Sequence, residues 1–172
     1  MNILLKYSMK YLLSILIFTT LSFAHPHTFI EVYPTVYSKN KNIDKINIKW
    51  VIDEITSMML IMEFDVNGNG KIDKDENQFI HDNYFASLEQ YNFYMDIQSK
   101  KSTSLPVIPE NFKATIKDNK IVYNFDIQEV VKIPNIKINF KDETLFVGMI
   151  LKEEYINIAS NDKKLTNIFG IN

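Results

Sequence analysis

Residues 65 to 76 read DVNGNGKIDKDE, a run in which every defined position of the twelve-residue calcium loop holds a suitable group. Asp65, Asn67 and Asn69 offer side-chain oxygens at positions 1, 3 and 5, and Lys71 at position 7 need supply only its backbone carbonyl. Asp73 at position 9 can bind through water, Glu76 can close the shell with both carboxylate oxygens, and Gly70 permits the sharp turn. The loop requires a helix on each side. DEITSMMLIMEF precedes it, with Asp53 and Thr56 as candidate caps, and KDENQFIHDNYFASLEQ follows, with Phe79, Ile80, Tyr84 and Leu88 along one face. The spacing therefore predicts an EF-hand over about 53–88. Its alternative is a polar Asn-Gly-Asn-Gly surface turn without an ion. Three acids and two amides make a site of moderate charge, weaker than a cytosolic buffer. A single loop without a coupled partner points to a structural rather than a sensing role.

The methionines before the loop are read as core filling: Ile55, Met58, Met59 and Met62 recur at helical spacing, and a soft-metal thioether site is the weaker alternative. Around the helical pair the pattern is β-rich. TFIEVYPTVY, from Thr28, and IDKINIKWVI, ending at Ile52, suggest a hairpin turning at Lys39 to Asn42, with Pro34 marking a sheet edge or a bulge. YNFYMDI, FKATIK and KIVYNFDI (joined across Asp118-Asn119), IKINF, LFVGMIL and YINIA are further strands. The last dozen residues from Asn161 are either a loose tail or packed through Leu165, Ile168 and Phe169.

Residues 1 to 24 run from a lysine-bearing start through an apolar stretch, Tyr11 to Thr19, to a small-x-small site at Ser22 and Ala24, as a cleaved secretory signal does. This leaves a single exported domain over 25–172. With 46% apolar and 23% charged residues the chain is in the globular range. Its formal charge is -2, and loss of Lys6 and Lys10 with the leader makes it more negative, so nucleic acid is a poor candidate partner and none is expected. Zero cysteines exclude disulfides, thiolate zinc sites and iron–sulfur clusters, so any metal is expected to use oxygen or nitrogen ligands. Neither a phosphate loop nor a nucleophile elbow nor a zinc-protease helix motif is present, which leaves nucleotide enzymes and hydrolases without support.

Cleavage after Ala24 would expose His25-Pro26-His27, a free α-amine beside two imidazoles. On an extended segment His25, His27 and Glu31 share one side. A first-row metal could use the His25 amine, one or both imidazoles, and a carboxylate from Glu31, Asp53 or Glu54. Pro26 lacks the amide proton that a square-planar amino-terminal copper or nickel site needs, so that geometry is excluded. The competing reading is a frayed polar terminus. His81 reads as a surface or partly packed residue.

Taken together, His25-Pro26-His27 followed by Phe29-Ile30, WVIDE at 50 to 54, the single calcium loop, NYFASLEQYNFYMDI, and KDETLFVGMIL at 141 to 151 are informative. In this order the chain resembles a bacterial periplasmic family of unknown function, described as a periplasmic component of an uncharacterised ABC-type transport system. The chain departs from that family's pattern at Ile52, where phenylalanine is usual, and at Glu143, where proline is expected. The resemblance implies association with an inner-membrane permease of the nickel/cobalt exporter type and a periplasmic role in handling nickel, cobalt or zinc. It carries over His25 and His27 as metal contacts, with Asp53, Glu54 and Asp142 as partners. The implied fold, which the strand count suggests independently, is α+β: a mainly antiparallel sheet with an inserted helix–loop–helix.

The leading expectation is a calcium-stabilised binding protein, not an enzyme, that serves a transition-metal transport system. The alternatives are a calcium-stabilised envelope interaction module without a transition metal and, more remotely, a copper oxidative enzyme built on the N-terminal histidine.

Overall fold

The computed structural model describes residues 27–39, 42–100, 105–133, 135–144, 146–159 and 167–170. The leader read over residues 1–24, His25 and the tip of the first hairpin lie outside the described residues. Strand β1 (Thr28–Lys39) pairs antiparallel with β2 (Asn42–Ile52), from Ile30 opposite Ile52 to Lys39 opposite Asn42. The period of two does the work: Ile30, Val32 and Val36 of β1 and Ile46, Ile48, Trp50 and Ile52 of β2 all fall on the buried face.

Beyond β2 lie β5 (Lys120–Ile127) and then β4 (Glu110–Lys117), both antiparallel to their neighbours. They are joined by a two-residue turn in which Asp118 and Asn119 have φ of 52° and 58°, the left-handed pair that a tight hairpin needs. On the other side of β1, β7 (Val147–Ile150) and β8 (Asn157–Ile158) pair in parallel, giving the order β4-β5-β2-β1-β7 with β8 beside β1. β3 (Met95–Gln98) and β6 (Lys137–Phe140) form a separate antiparallel ladder. The fold is α+β with a mostly antiparallel sheet.

Pro34 is buried opposite Ile48, and the irregularity in β1 falls later, between Tyr37 and Ser38. The proline is tolerated because β7 pairs only Thr28 to Glu31 and β8 only Thr35 and Val36, so β1 has no outer ladder partner at Pro34. At the end of the chain Phe169 bridges to Ile138 and is buried, so this part of the tail packs.

Helix α1 (Glu54–Phe64) and helix α2 (Lys74–Ile80) flank the loop of residues 65 to 73. Here one expectation is corrected. Ile55, Met58, Met59 and Met62 are not core; their exposure runs from 59% to 85%. The inward side of α1 carries Thr56, Ser57, Leu60, Ile61 and Phe64 instead. The helix is apolar on both faces, and a serine that bonds two strands decides which one is buried.

The second helix is also shorter than its pattern implies. After Ile80 the chain widens into a π turn over His81–Phe85 and tightens into a 3-10 segment over Ala86–Tyr94. Phe85 is inserted between Trp50, Phe93, Phe112 and Phe125, at ring separations of 4.2 to 6.3 Å. Asn92, Phe93 and Tyr94 take φ of 49°, 52° and 52°, so the strand expected from Tyr91 starts only at Met95. The Asn92 side chain holds the kink. Its amide donates to the carbonyls of Met95 (2.7 Å) and Leu105 (3.0 Å), and its oxygen accepts from Val107 N–H (2.8 Å).

Candidate functional site

The loop between α1 and α2 is a closed hydrogen-bonded network. Asp65 ends α1, its N–H donating to the Ile61 carbonyl, while its two carboxylate oxygens accept from the N–H groups of Asn69 (3.0 Å) and Gly70 (2.9 Å). Asn67 Oδ1 also accepts from Asn69 N–H (3.0 Å), and Asn69 Oδ1 accepts from Lys71 N–H (2.9 Å). Asp73 starts α2, and Glu76 completes a capping box by accepting from Asp73 N–H at 2.8 Å. The other Glu76 oxygen reaches back across the loop to Val66 N–H at 3.0 Å. Asp73 Oδ2 receives the amides of Asn67 (2.8 Å) and Asn69 (3.0 Å). Gly70 has φ of 76°, and a Cβ there would meet nothing within 4 Å; the turn needs glycine for its backbone angle, not for space.

The network brings together five of the six predicted side chains, Asp65, Asn67, Asn69, Asp73 and Glu76, while Lys71 joins through its backbone. None of the three acids takes part in an ion pair among the described residues. Among the described residues no three His, Asp or Glu side chains stand in a metal-holding arrangement. The acids turn instead to backbone N–H groups and asparagine amides. The donor set is nonetheless all oxygen, half of it amide and carbonyl, which suits a hard cation and not a transition metal.

Both helices of the pair are tied to the sheet. Buried Ser57 donates to the Ile52 carbonyl (3.0 Å) and accepts from Ile121 N–H (2.9 Å), linking α1 to β2 and β5. Asn77 of α2 accepts from Ala114 N–H of β4 at 2.7 Å. Across the pair Tyr84 hydrogen-bonds Glu63 and packs edge-on against Phe64 at 4.8 Å. The same glutamate raises the Tyr84 phenol above its ordinary range.

The second set of predicted residues gathers at the start of β1. His27 N–H donates to the Phe146 carbonyl at 2.9 Å, and its ring stacks on Phe146 at 6.1 Å. Asp142 organises that partner, accepting from the N–H groups of Thr144, Phe146 and Val147 and from the Thr144 hydroxyl, at 2.7 to 3.1 Å. Burial pushes the Asp142 carboxyl up, but these donors outweigh it and hold the group below the usual carboxylate value. Asp53 approaches from the other side, with one oxygen on Phe29 N–H (2.9 Å) and the other capping α1 through Thr56 N–H (3.0 Å). There too burial raises the pKa and the backbone donors lower it further, for a net fall.

The structure therefore brings His27, Asp53 and Asp142 to one strand end, although Asp53 and Asp142 spend their oxygens on backbone amides, in positioning roles. Glu54 is exposed in the first turn of α1 beside them. Glu143, at the departure from the family pattern, is an exposed turn residue paired with Lys141, and Ile52 fills a core position.

Two features escaped the sequence reading. A polar cleft of about 350 Å³ lies between the 3-10 segment and the turn after β6, lined by Tyr91, Tyr94, Asp96, Lys141 and Asp142. On the outer sheet face Asp126 accepts from Lys45 (2.9 Å), Asn47 (3.0 Å) and Asn111 (3.0 Å). Period-two alternation does place Asp126, Lys45 and Asn47 on one face, but only strand order makes them neighbours. Among the described residues no helix is long and apolar enough to cross a membrane.

Residues 11–166 match the family described as "Protein of unknown function (DUF1007)", and the chain belongs to that family. It is 26% identical over 98 residues to an "Uncharacterized 15.5 kDa protein in trpE 3'region" of Spirochaeta aurantia, covering 55% of this chain and 69% of that one. It is 28% identical over 107 residues to an uncharacterised protein of Haemophilus influenzae, covering 60% of this chain and half the length of that relative. No solved structure gives a significant match.

Proposed function

We propose that this member of the family is an exported, calcium-stapled binding protein of the periplasm that serves a transition-metal transport system and carries out no catalysis. The observation that carries the reading is the loop of residues 65 to 76: five oxygen-bearing side chains in one network, between two helices each hydrogen-bonded to a different part of the sheet. A divalent cation there would replace the amide-to-carboxylate bonds with ligation and neutralise three unpaired acids. It would so fix α1 and α2 on β5 and β4.

The transition-metal part rests on the segment leading into β1. The His25 amine and imidazole and the His27 imidazole would bind nickel, cobalt or zinc, with Glu54 the carboxylate left free to join them. Asp53 and Asp142 would hold the strand end rather than touch the ion. The resemblance to a periplasmic transport component supports an inner-membrane permease of the nickel/cobalt exporter type as partner. The alternative of a calcium-stabilised envelope interaction module finds support in the exposed apolar side of α1.

Calorimetric titration of the processed protein, beginning at His25, separates the two. Zinc or nickel binding that weakens at least tenfold in the His25→Ala/His27→Ala protein supports the transport reading. Equal affinity in the doubly substituted protein, or none in the wild type, contradicts it and leaves the interaction module.

A further inference from the structure

The outward side of α1 carries chemistry that neither the calcium loop nor the N-terminal histidines use. Met58, Met59 and Met62 are exposed by 59%, 61% and 85%. They lie at i, i+1 and i+4, so their Cα–Cβ bonds fall within about 100° of arc on one helix face. Of the five methionines among the described residues, only Met95 is in the core and Met149 half-buried, so the other three are gathered here. Nothing in the packing demands them: Ser57, Leu60, Ile61 and Phe64 already anchor the opposite side of the helix.

The helix beneath them is hydrogen-bonded at both ends. Asp53 caps the helix at its start, and the Asp65 N–H closes its last turn on Ile61. Three long, unbranched thioethers on a fixed helical face can converge on one point, as an i, i+3 pair (Met59, Met62) and an i, i+4 pair (Met58, Met62) sharing Met62. In a chain without cysteine, thioether sulfur is the softest donor available. Glu54 and Glu63 at the two ends of the helix add negative charge nearby.

We propose that Met58, Met59 and Met62 form a three-thioether site for a soft monovalent cation of the Cu(I) or Ag(I) class, distinct from the oxygen-donor loop and from the histidine segment. Three neutral sulfurs stabilise a soft, low-charge ion and give nothing comparable to calcium, zinc or nickel, so this site would not compete with those. Thioethers do not titrate in the neutral range. Binding should therefore be flat between about pH 5 and 7.5, where imidazole ligation fades.

Silver(I) nitrate is the probe, added to the processed, calcium-equilibrated protein beginning at His25, which lacks Met1 and Met9, in chloride-free buffer while the methionine ε-methyl signals are followed by NMR. The site predicts saturation at one Ag(I), with three ε-methyl resonances moving and those of Met95 and Met149 unmoved. It also predicts at least a tenfold loss of affinity at pH 5.5 in M58L/M59L/M62L, which keeps the apolar surface and removes the sulfur. The single M62L change, which removes the shared donor, should weaken binding several-fold and guards against a misfolded triple variant. Unmoved signals, or wild-type affinity in M58L/M59L/M62L, would overturn the site; the latter would assign the silver to imidazole and the α1 face to an apolar partner.

Discussion

Ser57 is a small residue with two buried bonds, and its hydroxyl is what turns α1 toward the sheet. Ser57→Ala leaves the Ile121 N–H buried without an acceptor, so a loss of about 1–3 kcal/mol is expected in urea unfolding at neutral pH. Ala at exposed Thr144 would remove far less, because the backbone donors to Asp142 remain. Asp142, Asp53 and Asp126 titrate together in sign. Each is buried enough to be pushed up, yet hydrogen-bond donors hold each below its ordinary value. Because the folded pKa is the lower one, the stabilisation is complete above the unfolded value of about 4 and is lost as pH falls through the folded value. The unfolding midpoint should be level from pH 7 to about 5 and fall below pH 4. Asp142→Asn should lower the neutral-pH midpoint and flatten the acid limb; an acid limb as steep as that of the wild type would place the sensitivity elsewhere.

Among the elements, those readable from the chain alone are those whose residue types dictate their geometry. The β1–β2 and β4–β5 hairpins follow from strict alternation, and Asp118-Asn119 accepts left-handed angles that branched residues resist. The helix–loop–helix outline around residues 65 to 76 was legible because the loop's glycine and capping residues set its backbone, while its ion remains part of the proposal. α1 was misjudged in orientation for a physical reason: apolar residues cover both its sides, so periodicity carries no direction, and the deciding bonds come from Ser57 and strands distant in sequence. The helix after the loop ran short because Phe85 is drawn into the aromatic cluster around Trp50 and Asn92 is bound by the segment at Leu105 to Val107. The parallel partners β7 and β8 depend on contacts over a hundred residues apart, which no local pattern reports. Of the residues expected around a transition metal, Asp53 and Asp142 stand at the strand end with His27, their oxygens on backbone N–H groups. Asn92→Ala tests the kink directly. It removes three hydrogen bonds and places a residue averse to positive φ at 49°, so a loss of about 2–4 kcal/mol is expected, while Asn92→Gly should recover part of it.

At the scale of the molecule, the helix–loop–helix is a brace set against a sheet that already has its own core around Trp50, Phe125 and Ile48. The brace is held to the sheet by Phe64 and Ile80 in the shared core and by the hydrogen bonds of Ser57 and Asn77, while its loop is a ring of acids and amides with no cation among the side chains that close it. On the calcium-bound reading proposed above, this is the element that an added ion should stabilise most. Thermal unfolding of the processed protein with 1 mM calcium or with chelator tests this most directly. At that concentration a site of extracellular affinity contributes about 0.4–1.4 kcal/mol, so calcium should raise the Tm by roughly 1–6 °C. The shift should be absent from Asp65→Ala. Equal Tm values for the wild-type protein in the two conditions would contradict the account.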